Sequence, residues 1–121
     1  MQYTLRRDER NYLEVKVSGA PSETESRALL LDMVKAYRDS SITASLLEVK
    51  VAYGLDPASV KGLVIGLPAM GFPSHYRIAI LLMDEVARES AEFAEDVAVN
   101  RGIEMVRVFR EREAALAWIA S

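Results

Sequence analysis

The run Arg77-Ile78-Ala79-Ile80-Leu81-Leu82-Met83 constrains the fold more than any other stretch of the chain. It has the length of a strand and is apolar at odd and even positions alike, so both of its faces must be covered. A strand of that kind belongs to a sheet with helices on both sides, built from parallel βαβ units. The residues C-terminal to it agree: a charged helix, a second strand at Val106-Arg107-Val108-Phe109, and a closing helix through Ala115-Leu116-Ala117-Trp118-Ile119. The first of these strands is the natural centre of the domain.

The earlier part of the chain supplies the rest of the sheet. Tyr3 and Leu5 alternate with polar residues, and after Asp8-Glu9-Arg10-Asn11 the alternation resumes at Leu13, Val15 and Val17, which reads as a half-wet hairpin at a sheet edge. Ser22-Glu23-Thr24-Glu25 has capping-box spacing and starts a helix whose apolar stripe is Leu30, Met33, Val34 and Tyr37. Ile42 to Val51 is the next strand, although Glu48 and Lys50 share one of its faces. Either that face is less covered there, or the two residues reach the open end of the sheet.

Asp56-Pro57-Ala58-Ser59 starts a second helix, with Asp as N-cap and Pro at the first helical position, and Pro68 stops it. Residues 69 to 75 then form a loop. Asp84 caps a third helix with the stripe Val86, Phe93 and Val97, and Gly102 ends it. The resulting order, β-β-α-β-α-β-α-β-α, predicts a single α/β domain over residues 1–121, with a mixed central sheet and helices packed on it.

Composition removes several function classes. The formal net charge is −3, which lacks the positive footprint of a nucleic-acid binder. There is no cysteine, so disulfides, thiol catalysis and thiolate metal sites drop out, and the single histidine, His75, leaves any His dyad or His-based metal site without a second member. No window approaches the roughly 20 apolar residues of a membrane span, and no targeting segment stands at Met1. These features together predict a cytoplasmic protein with no cofactor.

Tyr76-Arg77-Ile78-Ala79-Ile80, Val106-Arg107-Val108-Phe109 and Ala114-Ala115-Leu116-Ala117-Trp118-Ile119 together resemble the SpoIIAA-like family of small bacterial proteins, related to STAS domains and grouped with Sec14-type lipid-binding folds. The resemblance runs from about Tyr12 to Ile119. It implies a family mostly of unknown function whose better-known relatives are regulatory, non-enzymatic binding proteins, among which the anti-sigma-factor antagonists carry a phosphorylated serine in an Asp-Ser-Ser/Thr-Gly motif at the start of the second helix. That motif falls on Asp56-Pro57-Ala58-Ser59, where Pro57 takes the acceptor position. Ser59 would have to substitute from two residues later.

The candidate site residues are correspondingly few. Open α/β sheets place ligands at the carboxyl ends of their strands, beside helix N-termini, which singles out Tyr53, Asp56, Ser59 and Asp84. Capping alone explains both aspartates. Met70 and Phe72 stand among chain breakers and read as cover for one end of the sheet, a homodimer contact, or a gate over an apolar pocket. His75 beside them is a loop histidine or a lone acid/base. The acidic face Glu85, Glu89, Glu92, Glu95 and Asp96 is solvated or docks a basic partner. The function expected is a non-enzymatic regulatory or protein-binding module without the usual serine phosphoswitch. The alternative is a carrier or sensor of a small apolar or lipid-like ligand.

Overall fold

A computed structural model describes residues 1–121. The element order is β1 Gln2–Arg7, β2 Leu13–Gly19, α1 Glu23–Ser40, β3 Ala44–Val51, α2 Pro57–Met70, β4 Arg77–Leu82, α3 Arg88–Asn100, β5 Val106–Phe109 and α4 Arg112–Ala120. The expected α/β architecture stands. The five strands lie side by side in chain order, with β1 antiparallel to β2 and every later neighbour parallel.

This order decides where the helices go. When each parallel strand is added on the same side of its predecessor, right-handed crossovers all pass over one face of the sheet. Accordingly α1, α2 and α3 share a face with Leu13, Val15, Val17, Ile78 and Val106, in a core of 22 buried side chains. The opposite face has a core of only six, from Tyr12 and Ala44 to Ala115, under α4. Helix α4 is the sole element after β5 and folds back beneath β3, β4 and β5, leaving Thr4, Arg6, Lys16 and Ser18 to solvent.

Two sequence expectations change here. The middle strand of the five is β3, and β4 lies one place toward the edge. The two-sided apolarity of β4 reflects α4 on one face and α2 and α3 on the other, so coverage by helices, rather than position in the sheet, wrote that pattern. The charges on β3 are also resolved. The Glu48 side chain is only 14% exposed and is bound by Arg112 at the start of α4, whereas Lys50, two residues on, passes into solvent.

Helix ends follow local chemistry with two exceptions. Ser22 caps α1, its hydroxyl accepting from the Glu25 amide at 3.2 Å, and Ser41 closes that helix in the left-handed region at φ 60°. Asp56 caps α2 as expected. Pro68, expected to stop that helix, lies inside its last turn; the helix ends at Gly71, whose φ of 114° only glycine adopts without strain. Asp84 does not cap α3. Its carboxylate accepts from the Val86 amide at 3.0 Å in a turn, and the helix begins four residues later with no side-chain cap.

Candidate functional site

The carboxyl half of the helix-covered face holds a partly open apolar cavity of about 190 Å³. Its floor is the sheet, at Val17, Leu47, Val49, Val51 and Ile80, and its walls come from the first halves of three helices. Helix α1 gives Ser26, Leu29 and Leu30; α2 gives Val60, Leu63 and Val64; α3 and the residue before it give Ala87, Ser90, Ala91 and Ala94. Met1, Pro21 and the strap Tyr53-Gly54-Leu55 complete the rim.

The reason for this space can be read in α3. Where α2 turns valines and leucines inward, α3 turns Ala87, Ala91, Ala94 and Ala98, at the i, i+4, i+7, i+11 spacing of one helical face. Alanines at these positions let α3 pack close to α2 and stop short of the floor. The expected stripe of Val86, Phe93 and Val97 is corrected accordingly: Val97 is buried, Phe93 is half-buried and Val86 is exposed.

The lining is chemically simple. Sixteen of its twenty residues are hydrophobic and none of its side chains is charged, so a ligand there gains by burying apolar surface. Three hydroxyls border it, those of Ser26, Tyr53 and Ser90. Ser90 Oγ donates to the Leu55 carbonyl at 2.8 Å, tying the strap to α3, and Ser26 Oγ faces the Met1 sulfur at 3.9 Å. At the rim, the amino group of Met1 lies 3.3 Å from the Glu25 carboxylate. The Ser22 hydroxyl and that ammonium hold the Glu25 carboxyl below its ordinary value.

The sequence-selected residues divide between the two ends of the sheet. Tyr53 is 53% exposed and stands at the cavity rim. Asp56 and Ser59 lie one turn beyond it, at the start of α2, and form a closed local arrangement. The Ser59 amide donates to Asp56 Oδ2 at 3.1 Å, while its hydroxyl reaches Asp56 Oδ1 at 2.7 Å and Glu23 Oε2 at 3.2 Å. The hydroxyl and backbone amides hold the Asp56 carboxyl below its usual range. Asp84 is exposed at the same end of the sheet.

Met70, Phe72 and His75 belong to the opposite, amino end. Met70 is the last residue of α2, half-buried, and Phe72 is a core residue with its ring 4.9 Å from that of Tyr76, edge on. Packing fixes Phe72, which leaves it unavailable as a gate for a cavity at the other end. His75 is exposed in the turn before β4. The seven residues therefore do not form one site, and only Tyr53 lines the cavity.

Most of the lining was missed in the sequence because each residue looks like ordinary core. The usable signal was the alanine spacing at 87, 91, 94 and 98, since four inward alanines opposite larger residues predict close approach or unfilled space. No protein-family model matches the chain, and no curated protein was found to match it.

Proposed function

We propose that this chain is a non-enzymatic binding module that carries or senses a small apolar molecule in the cavity between α1, α2, α3 and the sheet. The carrying observation is the cavity itself, which has an uncharged lining and lies at the carboxyl ends of β2, β3 and β4. Those ends are where α/β sheets commonly bind ligands, but the strand order here has no reversal and so no crevice at a switch point. A space beneath the helices takes the place of such a crevice. The SpoIIAA-like resemblance supports a non-enzymatic role, and the absence of cysteine supports a cytoplasmic setting.

The test is native mass spectrometry of the purified protein, joined to thermal unfolding with and without neutral apolar probes such as toluene. A co-purifying small-molecule mass, or a melting temperature that rises with probe concentration, is the expected result. A bare chain mass together with an unmoved melting temperature would remove the reading.

A second reading, a regulatory module that engages a protein partner or a second copy of itself, is favoured by a different observation. Tyr53, Met83 and Val86 are large apolar residues about half exposed, each in or just after a strand end on the cavity side of the sheet. Sedimentation velocity across a concentration series distinguishes the two. Self-association that weakens in Met83→Ser supports the surface reading, and a monomer at all concentrations removes the homodimer.

A further inference from the structure

The geometry points to a narrow ligand class for this cavity: an uncharged molecule of one ring or a short hydrocarbon branch, smaller than any complete lipid. The inference rests on the proposed binding role and adds size and charge to it. Size follows from volume. An engineered apolar cavity of about 150 Å³ holds one benzene, whereas drug-sized ligands occupy pockets of about 300 Å³ or more. At about 190 Å³ this partly open pocket buries a ring with a small substituent and is too small to bury a two-chain lipid.

Charge follows from the lining. A carboxylate or ammonium brought inside meets no charged side chain, and the Ser90 hydroxyl is already bound to the Leu55 carbonyl; the Tyr53 phenol belongs to a rim residue. The Met1 amino group, carried by a lining residue at the rim, is already paired with the Glu25 carboxylate. An ion buried without a partner loses its hydration uncompensated, which weakens binding by at least about a hundred-fold relative to a neutral molecule of the same shape. Added apolar surface acts the other way, by about four-fold per methylene until the space is full. Walls without a charged side chain select mainly by shape and neutrality.

The experiment titrates the whole chain with benzene, toluene, benzoate and benzylammonium, plus a two-chain phosphatidylcholine in bicelles, and follows amide NMR shifts. Toluene is expected to bind about four-fold tighter than benzene, with shifts at Ala91, Ala94 and Leu63, and the two ions at least about a hundred-fold weaker. Ala94→Leu and Ala91→Leu, each placing a larger side chain in the space, should abolish the shifts while the chain stays folded; two positions guard against one failing to fold. Benzoate, benzylammonium or phosphatidylcholine binding as well as toluene overturns the ligand class and leaves the cavity as a binding site. Failure of every probe, or binding unchanged in both leucine variants, overturns the proposed binding role itself.

Discussion

Arg112, the first residue of α4, donates from Nη2 to Glu14 Oε2 at 2.7 Å, joining positions 98 apart in the chain. The same guanidinium binds Glu48, so one side chain from the last helix ties together β2 and β3. The Glu14 side chain is only 7% exposed. Helix α4 is nine residues long, short of what an isolated helix needs for stability, and must be held by the sheet. At its other end Arg77 donates to the Trp118 carbonyl and lies 5.3 Å from the indole centroid.

Arg112→Ala is therefore expected to destabilise the protein by about 1–2 kcal/mol in urea unfolding. Removing one member of a fully buried pair costs about 3–5 kcal/mol. Here Arg112 is itself 42% exposed and Arg6 still lies 3.2 Å from Glu14, so the smaller figure applies. Near-UV circular dichroism of Trp118 should change along with stability, because the helix that carries it is loosened. A loss below about 0.3 kcal/mol would mean that the latch is inert.

Acid should release the same latch. Burial pushes the Glu14 carboxyl up, but hydrogen bonds from Arg112 and Arg6 outweigh it and hold the group below its ordinary 4.5. A carboxyl lowered in the folded state adds stability above its unfolded value and loses it as pH falls through the folded one. Unfolding free energy should thus be level near neutrality and decline below about pH 4.5. Glu14→Gln should be less stable at pH 7 and show a shallower decline, measured by urea midpoints between pH 2 and 7.

At the other end of the scale, Tyr76 sets an alkaline limit. Its side chain is 1% exposed; burial pushes the phenol up to about 12, only partly offset by its hydrogen bond with Ser45. Raised above its unfolded value of 10.0, the group contributes stability that is complete below pH 10 and lost as pH rises toward 12. Tyr76→Phe should flatten that loss while costing about 1–3 kcal/mol at pH 7, because fully buried Ser45 keeps an unpaired hydroxyl. Adding Ser45→Ala should recover part of the cost.

The strap over the cavity depends on Gly54. A Cβ there would run into the Ser90 side chain that holds the strap through the Leu55 carbonyl. Gly54→Ala is expected to cost about 1–3 kcal/mol by overpacking. Ser90→Ala alone should cost about 1 kcal/mol for the lost hydrogen bond. The double variant should cost less than the sum, since the alanine at 90 removes the colliding hydroxyl. Strict additivity in thermal unfolding would show that the strap moves freely of α3.

The particular residues explain why the fold could be read from the sequence and the site could not. Alternation at Leu13, Val15 and Val17, the caps at Ser22 and Asp56, and the apolar run of β4 are local signals, each written within a few residues, and they survive folding. The cavity is written across six elements. Its lining residues touch only after the sheet order is fixed, and a missing side chain at Ala91 or Ala94 leaves no mark except relative to Leu63 and Leu29 opposite. Asp84 misled for the converse reason: an Asp ahead of a helical pattern signals a cap, and a turn in which the same carboxylate accepts from the amide two residues on competes with it.

Ser59 decides whether a phosphoswitch fits the start of α2. Negative charge in the first turn of a helix is ordinarily favourable, by about 0.3–1 kcal/mol. At this position the hydroxyl is 2.7 Å from one carboxylate oxygen and 3.2 Å from another, and the residue is 9% exposed. Each like-charge contact at such range costs about 1 kcal/mol even in water, and the displaced hydrogen bond about another 1 kcal/mol. Repulsion wins. Ser59→Asp should destabilise by about 2 kcal/mol and Ser59→Ala by about 1 kcal/mol in urea unfolding at low salt. Glu23→Gln added to Ser59→Asp should restore about half of the difference. A Ser59→Asp variant as stable as the parent would show that the first turn accommodates the charge and would reopen phosphorylation at this serine.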